Sequence, residues 1–291
     1  MKFFIRLIAC LSLESVRSLG AVLGRLLYRF NRPFRGHLKE NLGYAGLYSE
    51  DFAKRVAKHI GIQALEAVWV LGRSHEEVIA QTRIDESSYK VFDGVFASGR
   101  PVVFLTPHVG CYEVAPMRVE KEWLAGTDRK LAILYRMPKK KYLREIVSKG
   151  RASSNIVPAP ADLGGVRQII KILRAGGLVG ILPDQLPKNG EGVWASFFGK
   201  PAYTMTLPLR LMKQFNAPAI MVRVERERGG WCIFCKVWDY ELTGQDCDAE
   251  AFNRLIEETI LECPEQYLWS YHRYKVPRGV QPLQQSTENA Q

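Results

Sequence analysis

Short apolar runs alternate with helix-period patterns along much of the chain. Four runs of aliphatic and β-branched residues have the length and composition of buried strands. They cover residues 102–105, 131–135, 155–157 and 178–182. Between them lie segments whose apolar residues recur with the spacing of an amphipathic helix. This alternation predicts an α/β fold with a mainly parallel central sheet covered by helices.

The helical patterns have recognisable boundaries. Ser49 precedes the acidic pair Glu50 and Asp51, which predicts a helix cap with favourable first-turn charges. A further apolar pattern over residues 231–238 predicts a strand. No repeat or long linker divides the chain, and residues 277–291, rich in Gln, Ser and Asn, are predicted to be disordered. The predicted helices cover residues 49–72, 87–98, 112–124, 139–149 and 163–174.

Residues 1–30 form a separate amphipathic pattern. The uncharged stretches 7–13 and 18–24 are shorter than the roughly 18 apolar residues that a membrane span needs. On a helical wheel the charged residues share one arc and the large apolar residues lie opposite. The arc holds Arg6, Glu14, Arg17, Arg25 and Arg29, and the apolar face holds Phe4, Ile8, Val16, Leu19, Val22, Leu23, Leu26 and Phe30. This pattern suits a basic helix in a membrane interface, and equally a surface helix that packs on the domain.

Composition narrows the classes of partner. The 291 residues are 47% hydrophobic, which is enough for a sizeable core, and the net charge of +11 implies an anionic partner. Nucleic acid, anionic lipid and acidic proteins all qualify. A nucleic-acid-binding protein is disfavoured, because Lys and Arg are not interleaved with stacking aromatic residues on one element. The six cysteines lack the spacing of a zinc site or a disulfide framework, so we expect reduced thiols in a cytosolic compartment.

The candidate chemistry lies just after the predicted strand 102–105. Thr106-Pro107 ends that strand, and His108 and Glu113 follow at its carboxyl end, where α/β proteins bind ligands. The Glu113 carboxylate could hydrogen-bond one ring nitrogen of His108 and leave the other to take a proton from a hydroxyl. The alternative is a structural histidine that a nearby carboxylate satisfies. Cys111 is a rival nucleophile in the same stretch.

These residues resemble a known motif. The pattern His108-x-x-x-x-Glu113 is similar to the H-x-x-x-x-(D/E) motif of the bacterial lipid A late acyltransferases, the lauroyl/myristoyl acyltransferase family, although Cys111 and Tyr112 replace its frequent Asn-Trp. Further segments resemble the family in the same order along the chain. They are Tyr135-Arg136-Met137-Pro138 with the later Arg151, Pro183-Asp184-Gln185 with Phe197-Phe198-Gly199-Lys200-Pro201-Ala202, and the closing stretch 264–275.

The resemblance implies both a fold and a reaction. It implies a glycerolipid-acyltransferase-like fold, with residues 1–30 as a membrane-associated helix and residues 31–276 as the acyltransferase domain. The reaction would move a fatty acyl chain from acyl carrier protein to a hydroxyl of a lipid A precursor of the Kdo-lipid IV(A) type. Another membrane glycolipid or a lysolipid is the alternative acceptor. The enzyme would need no cofactor and no metal, would not bind nucleic acid, and would work at an anionic surface on the cytoplasmic face of the inner membrane.

The resemblance also implies residue roles. His108 would act as general base, with Glu113 fixing its tautomer, and Arg151 would stabilise the oxyanion. Asp184 would position Arg151 or the lipid hydroxyl through a charge-assisted bond. The expected substrate-binding residues are Arg136, Gln185 and Lys200.

Overall fold

A computed structural model describes residues 7–136, 153–243 and 246–283. The strands are β1 (Thr82–Ile84), β2 (Val102–Leu105), β3 (Leu131–Tyr135), β4 (Ile156–Pro160), β5 (Leu178–Ile181), β6 (Gly192–Phe197), β7 (Lys200–Met205), β8 (Ala219–Glu227) and β9 (Gly230–Trp238). The helices are α1 (Leu13–Phe30), α2 (Arg32–Tyr44), α3 (Glu50–Gly72), α4 (His75–Ala80), α5 (Glu86–Ala97), α6 (Val114–Val119), α7 (Leu163–Arg174), α8 (Leu207–Phe215) and α9 (Asp246–Glu262).

A seven-stranded sheet forms the centre of the described chain. Its order is β1-β9-β8-β2-β5-β3-β4, and β6 pairs with β7 in a separate hairpin. All the pairings in this sheet are parallel except that between β8 and β9. The predicted α/β fold with a mainly parallel sheet is therefore confirmed.

Most predicted elements agree with the structure, with shifts of a few residues at their ends. Ser49 caps α3 as expected, because its side chain accepts a hydrogen bond from the Phe52 backbone N–H. The helix predicted over 112–124 begins at Val114 and continues as a π-helical turn, Glu120–Leu124. The helix predicted over 139–149 lies outside the described residues. The elements that were not predicted are α2, α4, α8, α9, β1, β8 and the β6–β7 hairpin.

Two apolar clusters cover the two faces of the sheet. Residues alternate between them along β2: Val103 and Leu105 face one cluster, and Val102 and Phe104 face the other. All four β2 side chains are buried, as a central parallel strand requires. The site at the end of β2 therefore rests on the most enclosed part of the fold.

Helix α1 packs closely on α3 through small residues. Gly20, Gly24 and Gly61 bring the two backbones together, and a Cβ at Gly61 would lie 2.2 Å from the Gly20 carbonyl oxygen. Arg17, one of the residues of the predicted charged arc, does not point into solvent. It lies on the buried side of α1 and pairs with the fully buried Glu66 at 2.7 Å. No helix in the described part of the chain is long and apolar enough to cross a membrane.

Four large apolar residues of α1 face outward. Leu19, Val22, Leu26 and Phe30 are 48–75% exposed, whereas Val16 is buried against the domain. The small residues of α1 allow close contact with α3, and the four large apolar residues on the opposite side take no part in this contact. An exposed apolar strip therefore runs along α1, and we call these four residues the apolar strip.

Candidate active site

His108 and Asp184 meet at the carboxyl end of the sheet. Strands β2 and β5 are adjacent and parallel, with Leu105 opposite Ile181. Each of the two polar residues follows its strand end by three positions and comes directly after a proline. The His108 Nδ1 atom lies 2.8 Å from Asp184 Oδ1, and the His108 backbone N–H donates to Oδ2 at 3.2 Å. The strand register thus brings the two residues together.

This contact fixes the role of each ring nitrogen. A carboxylate can only accept, so Nδ1 of His108 carries the proton that is shared with Asp184. The other nitrogen, Nε2, is then the acceptor, and the Gln185 side-chain amide lies 3.1 Å from it. Burial alone would raise the pKa of Asp184, but the electrostatic interaction with His108 and the hydrogen bonds from His108 more than offset this effect. The pKa of Asp184 therefore lies below its usual value, and the carboxylate stays ionised.

The loop that carries His108 is held from several sides. The backbone N–H of Leu268 and the side-chain amide of Gln63 both donate to the His108 carbonyl oxygen, at 3.1 and 3.3 Å. Gly110 has φ +57, and a Cβ there would lie 1.8 Å from the Val224 carbonyl oxygen. Only glycine fits this turn, because it tolerates both the left-handed backbone and the close contact. The imidazole is therefore presented by a rigid turn.

Tyr267 and Arg273 form the buried surroundings of Asp184. Burial, followed by the charge of Asp184, raises the pKa of Tyr267 well above its usual value, so the phenol stays protonated. The Arg273 guanidinium, which is almost fully buried, donates to the Tyr203 carbonyl oxygen and to the Thr204 hydroxyl, at 2.8 and 3.0 Å. Arg273 thereby attaches the C-terminal segment to the β6–β7 hairpin behind the site.

Glu113 does not occupy the position expected for it. The prediction that its carboxylate binds the imidazole is wrong, because Asp184 holds Nδ1 and Gln185 faces Nε2. The reason is local geometry: Glu113 stands at the N-terminal end of α6, beyond the Gly110 turn, whereas Asp184 lies at the matching position of the neighbouring strand. Glu113 is buried in the wall of a cavity beside the His108 loop.

This cavity is narrow and mostly apolar. It has a volume of about 60 Å³ and extends between the ends of the central strands and α6. Its wall is formed by aliphatic and aromatic side chains, with Thr106, Tyr112 and Glu113 as polar exceptions. Tyr112 also touches the His108 ring, edge to face, with centroids 4.9 Å apart. A small apolar cavity therefore lies beside the His108 loop, with Tyr112 between the cavity and the ring.

The chain matches the family model described as "Bacterial lipid A biosynthesis acyltransferase" over residues 1–276. It belongs to this family. Two similar proteins are the Lipid A biosynthesis palmitoleoyltransferase of Escherichia coli (strain K12) and the Lipid A biosynthesis acyltransferase of Shigella flexneri. Each is 27% identical over 167 residues, which is 54% of this chain and 53% of the relative. The chain thus spans about half the length of the curated relatives it matches. The family resemblance of the motifs is confirmed, and the family is one of acyltransferases.

The other residues expected from the lipid A acyltransferase motifs are dispersed. Arg136 donates to the Leu186 carbonyl oxygen and so lies beside the loop that carries Asp184 and Gln185. Lys200 is exposed at the start of β7, where its ammonium lies 5.4 Å from the centre of the Tyr44 ring. Arg151 lies outside the described residues. The structure therefore joins three of the expected residues by direct contacts, His108, Asp184 and Gln185, and places Arg136 nearby.

Cys111 is not a nucleophile in this arrangement. Its side chain is buried, and burial, reinforced by the charge of Glu66, raises the pKa of the thiol well above its usual value. A protonated, enclosed thiol is unreactive. Burial therefore argues against Cys111, the rival nucleophile considered from the sequence.

Sequence reasoning missed the supporting roles of Gln63 and Tyr267. Gln63 is a buried amide on the inner face of α3, and a polar residue in an apolar helical face was the available signal. Tyr267 had no comparable signal, because its proximity to Asp184 depends on the path of the C-terminal segment.

Proposed function

We propose that this protein is an acyltransferase that moves a fatty acyl chain from acyl carrier protein to a hydroxyl of a lipid A precursor. Membership of the lipid A acyltransferase family supports this reaction. The observation that carries it is the 2.8 Å contact between His108 Nδ1 and Asp184, which leaves Nε2 as a basic nitrogen beside an apolar cavity.

In this mechanism His108 is the general base and Asp184 its positioning partner. The acceptor hydroxyl gives its proton to Nε2 as its oxygen attacks the thioester carbon, and the carrier thiolate leaves and then takes up that proton. Asp184 stabilises the imidazolium that forms between these events. General-base catalysis of this kind typically contributes about 10² to 10⁴ in rate.

Gln185 has a place in the same sequence of events. Its amide faces Nε2 at 3.1 Å, at the position that the acceptor hydroxyl must reach. The hydroxyl therefore replaces the amide when the acceptor binds, and the released amide can hydrogen-bond the acceptor. This gives Gln185 the substrate-binding role expected from the motif.

The cavity beside the site suits only the part of the acyl chain next to the thioester, because a volume of about 60 Å³ is too small for a whole fatty chain. Its wall is aliphatic and aromatic, and its polar residues are close to the His108 loop. The thioester carbonyl would lie at that polar end and the chain would extend between the strand ends.

The remaining residue roles follow from the family motif. Arg151 would stabilise the oxyanion that forms when the hydroxyl attacks, because a guanidinium provides fixed donors for developing negative charge. Arg136 and Lys200 would bind anionic groups of the substrates. The reaction as proposed needs no metal and no cofactor.

The apolar strip of α1 would hold the enzyme at its lipid substrate. Exposed large apolar side chains next to arginines are typical of helices that lie in a membrane interface. We therefore propose attachment to the anionic cytoplasmic face of the inner membrane, where acyl carrier protein and lipid acceptor are both accessible.

The test is a transfer assay with purified protein, acyl-loaded carrier protein and defined lipid acceptors. Mass spectrometry of the lipid should show one added acyl chain on a lipid A precursor, with one free carrier thiol per chain. His108→Ala should lower the rate about 10² to 10⁴ fold while the protein still folds. Transfer only to another glycolipid or a lysolipid would mean that this lipid, and not a lipid A precursor, is the acceptor. No transfer to any lipid, or near-native turnover by His108→Ala, would refute the mechanism.

A further inference from the structure

Two concave surfaces meet where α1 turns into α2. One is a cleft of about 1050 Å³ between α1, α2 and the N-terminal half of α3, and eight Lys and Arg side chains line it. We call it the basic cleft. The other is an apolar groove of about 580 Å³ formed by Leu23, Leu26, Leu27, Phe30 and Pro33, together with Asn31 and Arg32. Arg32 lines both.

The positive charge of the basic cleft is largely uncompensated. Its wall contains one carboxylate, Glu50, among the described residues. Lys54 lies 3.7 Å from Glu50, and Arg55 pairs with Glu265 at 2.7 Å. The remaining six cations of the cleft form no ion pair with a described residue. They are Arg25, Arg29, Arg32, Arg35, Lys39 and Lys58. Like charges gathered in one cleft repel each other, so the arrangement favours a ligand with several negative charges.

The size of the cleft indicates more than a single phosphate. Small-molecule sites typically measure about 300–1,000 Å³, and this cleft is at the upper end of that range. A glycerophospholipid headgroup with one phosphate would leave most of the cleft and most of its cations without a partner. A sugar-sized group that bears more than one phosphate matches both the volume and the charge.

The adjoining groove indicates that this anion is part of a lipid. An acidic protein surface would meet the cations but would have no use for an apolar groove that opens beside them. A lipid has both parts, a charged headgroup and acyl chains, and Arg32 stands at the boundary between the two concavities. Arginine suits this boundary because its guanidinium binds phosphate through paired hydrogen bonds.

The cleft is also connected to the candidate active site. Lys58 and Gln63 lie on α3 five residues apart, about 7.5 Å along the helix axis, and Gln63 donates to the His108 carbonyl oxygen. Arg55 binds Glu265, which belongs to the segment that continues to Leu268 beside His108. The basic cleft and the candidate active site therefore share α3 and the segment after Glu265, and Lys58 and Gln63 face different sides of that helix, about 140° apart around its axis.

We infer that the basic cleft binds the multiply phosphorylated sugar headgroup of the acceptor lipid, with its acyl chains along the apolar groove. This inference rests on the proposed function and assigns its acceptor to a site separate from the catalytic histidine. The cleft supplies affinity and orientation, and the reacting hydroxyl belongs to another part of the same lipid.

The experiment measures vesicle binding without acyl donor, so that no turnover is needed. The probes are phosphatidylcholine vesicles that contain either a diphosphorylated glucosamine-disaccharide lipid or enough phosphatidylglycerol to give the same surface charge. The variant is Arg29→Gln with Arg32→Gln. The matched control is Arg167→Gln with Arg174→Gln, which removes two exposed arginines from α7. We expect the cleft variant to bind the glycolipid vesicles roughly tenfold more weakly than the control. Both variants should bind phosphatidylglycerol vesicles equally.

Two binding results contradict the inference. Equal losses in the two variants would mean that only net charge matters, and equal losses on both vesicle types would indicate a general bilayer contact. If the glycolipid binds to the cleft but is never acylated, the proposed function fails alone. If acylation proceeds and the cleft variant binds as the control does, the inference fails alone.

Discussion

A histidine has two possible basic nitrogens, and the group bound to one of them decides which is active. In this protein Asp184 holds the proton on Nδ1 of His108, so that Nε2 faces the space where a hydroxyl would react. The two residues of the sequence motif, His108 and Glu113, therefore do not form the pair by themselves. The motif marks the site, while the partner of the histidine comes from the neighbouring strand.

Mutant cycles can separate the two carboxylates. Asp184→Asn keeps the shape but removes the charge, and we expect a loss of about 10² to 10⁴ in kcat. The double variant with His108→Ala should be little worse than His108→Ala alone, because the two residues act as one unit. Glu113→Gln combined with His108→Ala should instead give losses that multiply. Rates of acyl transfer for all five variants, with folding checked by thermal melting, provide the measurement.

The opposite pattern would restore Glu113 as the catalytic partner of His108, as the sequence motif suggested. If Glu113 is non-additive with His108 and Asp184 is additive, then Glu113 orients the imidazole during turnover and the resting contact with Asp184 is not the catalytic one.

At the scale of elements, the contact of α1 with α3 depends on the absence of side chains. Three glycines line it, and the backbones are too close for a methyl group at Gly24 or Gly61. The ion pair between Arg17 and Glu66 lies within the same contact. Helix α1 is therefore part of the packed structure, as well as a carrier of the apolar strip.

Gly61→Ala tests this contact. A methyl group at Gly61 overlaps the Gly20 carbonyl oxygen, so we expect a loss of about 1–3 kcal/mol in the free energy of unfolding. Gly94→Ala is the matched control, because it lies in α5 with nothing near its missing Cβ. There the same substitution should stabilise by about 0.5–1 kcal/mol through helix propensity. Chemical denaturation of both variants measures the difference, and equal effects would show that the glycine contact is unimportant.

The sequence predicted most helices and strands but not which of them lie next to each other in the fold. Apolar runs located β2 and β5 to within one residue, and each is followed by a proline and a polar residue. This placed His108 and Asp184 at one edge of the sheet. Their direct contact depends on β2 being next to β5, and strand order arises from long-range packing that local patterns do not encode. The same limit applies to Arg17, whose burial depends on α3.

At the scale of the whole molecule, the apolar strip and the basic cleft share the α1–α2 corner. The strip would enter the lipid while the cleft receives anionic groups at the bilayer surface. Deleting residues 1–30 is a poor test of this idea, since it would also expose the buried Glu66 and the face of α3. Surface substitutions are cleaner because they leave the packing in place.

Leu26→Asp with Phe30→Asp should remove membrane binding without unfolding. The two side chains are 50% and 75% exposed, so the charges cost little in solution but oppose insertion into a bilayer. We expect flotation with anionic vesicles to fall at least tenfold, while the melting temperature changes little. Leu163→Asp, at a residue that is 78% exposed on α7, is the control and should float as the unmodified protein does. Normal flotation of the double variant would exclude the strip as the attachment surface.

Acid stability is a second property of the whole molecule. Burial, followed by the charge of Arg226, lowers the pKa of His59 to about 4. The unfolded chain thus binds an extra proton between about pH 6.5 and pH 4, so stability is full above this window and falls as the pH decreases through it. His59→Gln should reduce the loss of unfolding free energy across this window by an amount on the order of 2–3 kcal/mol. Denaturation curves at pH 7.5, 6 and 4.5 test this, and parallel pH profiles would contradict it.

The amide of Gln185 has a consequence for the fate of the acyl chain. Water is always present and would consume the thioester if an empty site held an accessible base. With the amide next to Nε2, water meets an occupied nitrogen, and only an acceptor that displaces the amide gains access to the base. Gln185→Ala should therefore release carrier thiol several-fold faster when no lipid is present. Unchanged hydrolysis would assign water exclusion to another group. If hydrolysis does rise, the selectivity for lipid over water resides in one side chain, Gln185, which moves aside only for the correct nucleophile.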